Sequence, residues 1–202
     1  MQSEMHYQTD RPIPRKGWEG QLDRFIGPGA TPAEMVLQLL PSLVAAIVAP
    51  LYAITLSVEW TPWQLGAMAI LGFDLVGGIL TNATATAKRW YHRQGQGWLQ
   101  HMGFVSLHLF HIGLVALLFR GGDSRFFLIL SSYLLLAAGI ILISPLYLQR
   151  PISLGLYVLT LLCDRYVLAP TTGLEWFLPL FFLKLLVSHL LKETAYSPSY
   201  RS

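Results

Sequence analysis

Six long apolar runs dominate the pattern of hydrophobic and polar positions along the chain. Each is about 20 residues long, the length of helix that crosses a hydrocarbon core ~30 Å thick. Strict alternation of apolar and polar residues, as in a transmembrane β-barrel, is not seen. The pattern therefore predicts an all-α, polytopic integral membrane protein with six transmembrane helices, at residues 33–58, 64–86, 98–119, 126–148, 151–169 and 174–191.

The fourth and fifth runs are separated only by Gln149, Arg150 and Pro151. Read as a single helix, residues 126–169 would be about 65 Å long, twice the thickness of the core. Two spans joined by a tight hairpin are therefore predicted. Pro151 then falls in the first turn of the fifth helix, where its missing N–H costs nothing.

The composition excludes a soluble globular domain. Hydrophobic residues make up 53% of the 202 positions and charged residues only 12%, whereas soluble domains carry about 25% charged residues. The segment before the first apolar run contains charges and prolines but no apolar core, so a cleavable signal peptide is not expected. The predicted organisation is an N-terminal tail (1–32), a six-helix transmembrane domain (33–192) and a C-terminal tail (193–202).

The distribution of Lys and Arg predicts the orientation. With the N-terminus inside, ten of these residues fall on the cytoplasmic side and three on the other, which favours both tails in the cytoplasm of a plasma (inner) membrane protein. The expected partner is the lipid bilayer rather than nucleic acid, and a homo-oligomer or a membrane-complex partner is left open. The cytoplasmic set is Arg11, Arg15, Lys16, Arg24, Lys88, Arg89, Arg93, Arg150, Lys192 and Arg201, and the opposite set is Arg120, Arg125 and Arg165. The basic, aromatic segment 88–93 is interpreted as a topology signal and headgroup anchor.

The second predicted span contains a carboxylate, a glycine pair and an amide. An unpaired carboxylate such as Asp74 costs at least ~2.5–3.5 kcal/mol in hydrocarbon, so it needs a partner. Asp74, Gly78 and Asn82 share one face of a helix that turns ~100° per residue. Gly77 and Gly78 are expected to let a neighbouring helix approach closely.

Spans three and six carry the partners that Asp74 needs. Lys184 lies too deep in span six to reach either interface easily, so it requires a counter-charge. Counted from the span ends, Asp74, His108 and Lys184 fall at mid-depth, and we expect Asp74 and Lys184 to pair with His108 beside them. Asn82, His101 and His189 form a second layer nearer the cytoplasm. Further round span three lies His111, about 60° from His108, and His189 lies ~140° from Lys184, so His189 is expected to face a different neighbour.

Three functional classes are compatible with this intramembrane polar site. The first is transport or conduction of a proton, ion or small polar solute, since intramembrane ionisable groups usually mark such pathways. The second is a membrane-complex subunit or assembly factor whose polar residues lock helix packing. The third is an intramembrane metal or haem enzyme, with His101, His108, His111 and His189 as candidate ligands. No dense ligand motif appears, so cofactors and catalytic residues are left unassigned, and transport is favoured.

Overall fold

A computed structural model describes residues 13–193 of the chain, and these residues form helices and connecting turns with no β-strand. The last α-helix continues directly into a π-helix at Leu183–His189. The α-helices in chain order are α1 (Gly17–Ile26), α2 (Pro32–Ile54), α3 (Pro62–Ala83), α4 (Ala85–Tyr91), α5 (Trp98–Leu107), α6 (Leu109–Phe119), α7 (Ser124–Ile143), α8 (Leu146–Tyr166) and α9 (Phe177–Phe182).

Five helical segments are long and apolar enough to cross a membrane: α2, α3, the continuous pair α5–α6 (Trp98–Phe119), α7 and α8. Large apolar side chains are exposed on their outer surfaces, among them Ile47 at 60% and Leu51 at 55%. Such a surface is stable in lipid but not in water. The prediction of an all-α, multi-pass membrane protein is confirmed at this level.

The first two spanning helices begin at the same local signal. Thr31 and Thr61 each accept a hydrogen bond from the backbone N–H three residues on, and Glu34 and Gln64 accept one in return from the threonine backbone. A proline follows each threonine at the first helical position, where its fixed φ suits the helix. These capping boxes place both helix starts close to the predicted span boundaries.

The predicted hairpin between the fourth and fifth spans is in the wrong place. The turn lies at Ser144 and Pro145, and α8 begins at Leu146, so Pro151 stands inside α8 rather than in its first turn. Pro145 ends α7 because proline disfavours helical conformation in the residue before it, and Ser144 is extended at ψ 144°. Pro151 removes one backbone hydrogen bond from α8, and the helix continues through it.

The sixth predicted span, residues 174–191, is helical only over Phe177–His189. Its start lies near the end of α2, where the Tyr52 hydroxyl donates to Glu175 over 3.3 Å. Its far end lies beside α4, where Lys88 Nζ donates to the Leu191 carbonyl over 2.6 Å. The segment thus extends between the two ends of α3, and its side chains Phe181 and Leu185 are fully buried.

Part of the predicted N-terminal tail is an ordered helix. In α1, the carbonyls of Arg24 and Phe25 accept hydrogen bonds from the Trp90 indole and the Tyr91 hydroxyl of α4, at 3.0 and 2.8 Å. Residues 1–12 of that tail, and all of the predicted C-terminal tail except Glu193, lie outside the described residues.

Candidate functional site

A charge pair joins the middle of α3 to the π-helix. Lys184 Nζ donates to Asp74 Oδ2 over 2.6 Å, and the lysine side chain is 3% exposed against 34% for the aspartate. Asp74 lies about 14 Å from the end of α3 at 1.5 Å per residue, near the middle of that helix. The structure thus brings together the two charges that were expected to pair.

The histidine that contacts Asp74 is His111, not His108. His111 Nε2 lies 3.0 Å from Asp74 Oδ2, and His108 stacks on His111 with ring centroids 5.0 Å apart. The helix tightens between α5 and α6, because the N–H of His108 bonds to the Val105 carbonyl and that of His111 to the His108 carbonyl. In such a 3₁₀ turn, side chains three apart eclipse each other. The angular offset between the two rings that a regular α-helix predicts is thereby lost.

The hydrogen bonds fix which ring nitrogen of these two histidines carries a proton. Because a carbonyl only accepts, His108 Nδ1 donates to the Phe104 oxygen over 2.8 Å. In a regular α-helix the Phe104 oxygen would accept the His108 N–H. It is free because the 3₁₀ turn directs that N–H to the Val105 carbonyl instead. His111 donates from Nε2 to the Asp74 carboxylate, so in the neutral ring Nδ1 is the basic nitrogen. This Nδ1 is buried and has no hydrogen-bond partner among the described residues.

Asn82, His189 and His101 form a second layer nearer α4. Asn82 Nδ2 donates to the Gly78 carbonyl over 2.7 Å, so Asn82 Oδ1 is the acceptor for His189 Nδ1 at 3.0 Å. His189 Nε2 then accepts from His101 Nδ1 at 3.3 Å. The structure brings these three residues together, and the chain of donors leaves Nε2 as the nitrogen of neutral His101 that carries no hydrogen.

The π-helix brings His189 to the same side as Lys184. A π-helix has i→i+5 hydrogen bonds, here the Leu190 N–H to the Leu185 carbonyl at 3.1 Å, and roughly 4.4 residues per turn. Five residues therefore advance about 50° instead of the ~140° of an α-helix. The expectation that His189 faces a different neighbour is wrong for this reason.

Two side chains of the segment predicted to contact lipid headgroups bind the end of the π-helix instead. Lys88 is 5% exposed, and its ammonium donates to the carbonyls of Ser188 and Leu191, each over 2.6 Å. His92 Nε2 donates to the His189 carbonyl over 2.9 Å, and its ring stacks on His101 at 4.6 Å. The only signal for this in the sequence is the position of both residues just after the second span.

Burial shifts the acid–base behaviour of both side chains, which lie outside the spanning helices. It lowers the pKa of Lys88 to about 8. It also lowers the pKa of His92 to about 4, and the neighbouring His101 adds to this effect. His92 is consequently neutral at physiological pH, in keeping with its place beside two other histidine rings.

The two glycines of the second span serve different neighbours. A Cβ at Gly78 would lie 2.8 Å from Lys184 Cδ, so glycine admits the lysine stem. A Cβ at Gly77 would lie 2.8 Å from Ser42 Oγ on α2. Gly78 thus admits the π-helix and Gly77 admits α2, because the two residues point ~100° apart on the helix.

Gly78→Ala is expected to lower the free energy of unfolding by about 1–2 kcal/mol, because the added methyl displaces Lys184 from Asp74. Gly66→Ala on the same helix is the matched control. A Cβ there meets nothing within 4 Å, so the change should stabilise by about 0.5–1 kcal/mol. SDS titration of the protein in detergent micelles measures both, and equal stabilisation by the two substitutions would contradict the close packing at Gly78.

The four candidate metal ligands fall into separate layers. His108 and His111 lie beside Asp74, whereas His101 and His189 bond to each other one layer away. Within residues 13–193, no group of three His, Cys, Asp or Glu side chains is arranged to hold a metal ion.

Comparison of the chain with protein-family models, with curated proteins and with solved structures gives no match.

Proposed function

We propose that this protein transports protons across the membrane through the layer formed by Asp74, His111, His108 and Lys184. The observation that carries the proposal is the His111 ring. One nitrogen is bound to a carboxylate that pairs with a buried ammonium, and the other is buried and without a partner among the described residues. A basic atom without a partner at mid-depth costs stability, and intramembrane groups of this kind usually mark a pathway.

The chemistry of this layer suits reversible proton binding. A proton that binds to neutral His111 at Nδ1 leaves the Nε2–H bond to Asp74 in place. Lys184 balances the charge of Asp74 in the resting state. Both hydrogen bonds to Asp74 end on Oδ2, so one carboxylate oxygen joins His111 to Lys184.

We also propose that the chain crosses the plasma membrane six times, with both termini in the cytoplasm. The contacts of residues 173–191 at both ends of α3 support the sixth crossing, although its helix is shorter than the other five. Non-helical backbone at membrane depth is tolerated where protein encloses it, and the side chains of this segment are largely buried in the bundle. The excess of Lys and Arg on the side of α4 supports the orientation.

Locking of helix packing is the second candidate function, because the same contacts tie three elements together. Asp74 lies on α3, Lys184 on the π-helix and His111 on α6. Interhelical networks of this kind also stabilise helix packing in membrane proteins.

The test is proton flux in proteoliposomes loaded with a pH-sensitive dye, under an imposed pH gradient and with the membrane potential clamped. Asp74→Asn keeps the size of the side chain and an acceptor for Lys184 but removes the titratable group. Flux is expected to fall at least tenfold, since a positioned acid–base group contributes about 10²–10⁴ to proton transfer.

Asp164→Asn is the matched control. Asp164 is a carboxylate near the end of α8, outside both layers, so the same substitution there should leave the flux unchanged. If the wild-type protein conducts no more than Asp74→Asn does, the transport proposal fails. A lower thermal stability of Asp74→Asn with no difference in flux favours the packing role.

A further inference from the structure

No side-chain hydrogen bond connects the two polar layers within the described part of the chain. The layer around Asp74 ends at His108, whose Nδ1–H is directed to the backbone of Phe104. The layer near α4 ends at Asn82, whose amide donates to the Gly78 backbone. A side-chain amide does not pass a proton onward as an imidazole does, so the hydrogen-bond chain through His101 and His189 stops at Asn82.

The Phe104 side chain fills the space between the layers. Its ring stacks on His189 with centroids 3.9 Å apart and planes 23° apart, and its centroid lies 4.5 Å from that of His108. Phe104 therefore contacts the last titratable ring of each layer. Hydrophobic constrictions of this kind gate ion pathways by excluding water.

Two segments next to Phe104 depart from the α-helix. The 3₁₀ turn at His108 follows it on its own helix, and the π-helix carries the His189 ring that it stacks on. Short 3₁₀ and π segments inside helices are typical of hinges and functional sites. The Phe104 carbonyl also links the orientation of the His108 ring to the position of Phe104.

We infer that Phe104 is the gate between the two layers and that its displacement connects His108 to the histidines on the cytoplasmic side. The inference rests on the proposed proton transport. In the described conformation the gate is closed: a proton on His108 or His111 is separated from His189 by an aromatic ring. Opening requires the ring to move out from between the two histidines.

Phe104→Ala is expected to raise proton flux about tenfold in the proteoliposome assay, since it replaces the apolar barrier by space for water. The added flux must still pass through the layer around Asp74. Phe104→Ala combined with Asp74→Asn should therefore conduct no more than Asp74→Asn alone. Leu107→Ala is the control for loss of apolar volume on the same helix, because this side chain is 74% exposed and should not affect flux.

The outcomes separate the gate from the pathway. If wild-type flux depends on Asp74 but Phe104→Ala conducts like the wild type, the gate is wrong and the transport proposal stands. A raised flux that persists in Phe104→Ala/Asp74→Asn also contradicts the gate, because such protons bypass the layer around Asp74. Equal flux in the wild type and Asp74→Asn refutes the pathway itself. Should Phe104→Ala fail to fold, Phe104→Val is expected to raise flux several-fold, and unchanged flux in that variant contradicts the inference.

Discussion

Asp74→Leu is expected to lower the free energy of unfolding by about 3–5 kcal/mol, the cost of leaving a buried charge without its partner. The charge left behind is the Lys184 ammonium, whose side chain is 3% exposed and whose hydrogen-bond acceptor is Asp74. Lys184→Met is expected to cost less, about 1.5–3 kcal/mol, the value of a hydrogen bond to a charged group. The cost is smaller because the carboxylate that Lys184→Met leaves behind, Asp74, is a third exposed and still accepts the hydrogen bond from His111 Nε2.

The double variant Asp74→Leu/Lys184→Met leaves no unpaired charge and is expected to regain most of the stability lost by Asp74→Leu, since apolar replacement of both members of a buried pair is often neutral. SDS titration of the three variants, with the wild type alongside, measures the coupling between the two residues. Additive losses in the double variant would mean that Asp74 and Lys184 do not interact in the folded protein.

The same double variant separates transport from packing. It is expected to fold with near wild-type stability but to conduct protons no better than Asp74→Asn. A protein whose polar residues only hold helices together would show no dependence of flux on this pair, whatever its stability. The combination of restored folding and lost flux is therefore specific to a proton pathway.

The contact between Asp74 and Lys184 was predictable because depth and charge decide it together. Both residues fall at mid-depth by counting along helices of regular rise, and neither charge is stable in hydrocarbon without the other. The grouping of Asn82, His101 and His189 followed from the same count. Depth depends on the rise per residue, and local changes in helix type alter it little.

Direction around the helix was less predictable, because it depends on the number of residues per turn. The 3₁₀ turn at His108 put His111 against Asp74, and the π-helix turned His189 toward Asn82. No residue type at these positions signals either geometry. The His108 turn contains neither glycine nor proline, and Pro179 stands a full turn before the π-helix begins. Both departures depend on tertiary contacts that the sequence pattern does not carry.

The roles of Lys88 and His92 were missed for a related reason. A basic, aromatic segment next to a span usually contacts headgroups, and the sequence contains nothing that turns it inward. The backbone supplies the cause: the C-terminal end of the π-helix leaves the carbonyls of Ser188, His189 and Leu191 in need of donors. Lys88 and His92 are long side chains near enough to provide them.

Acidification is expected to lower the free energy of unfolding through His92. The pKa of His92 is lowered to about 4 by burial and by His101, against 6.5 for an ordinary histidine. Between these values the unfolded chain binds more protons than the folded one, so the free energy of unfolding falls as the pH drops from 6.5 and levels off below 4. The contribution of this one histidine is at most about 3 kcal/mol.

His92→Gln separates this contribution from those of the other histidines, because glutamine keeps an N–H for the His189 carbonyl and does not titrate. SDS titration at about pH 7 and about pH 4.5 is expected to give a smaller acid loss for the variant, by about 2 kcal/mol. Lys88 does not interfere. Its pKa of about 8 lies below the ordinary 10.5, so its protonation affects stability only above pH 8, where stability rises with pH. Equal acid losses in His92→Gln and the wild type would mean that His92 is not held neutral by the fold.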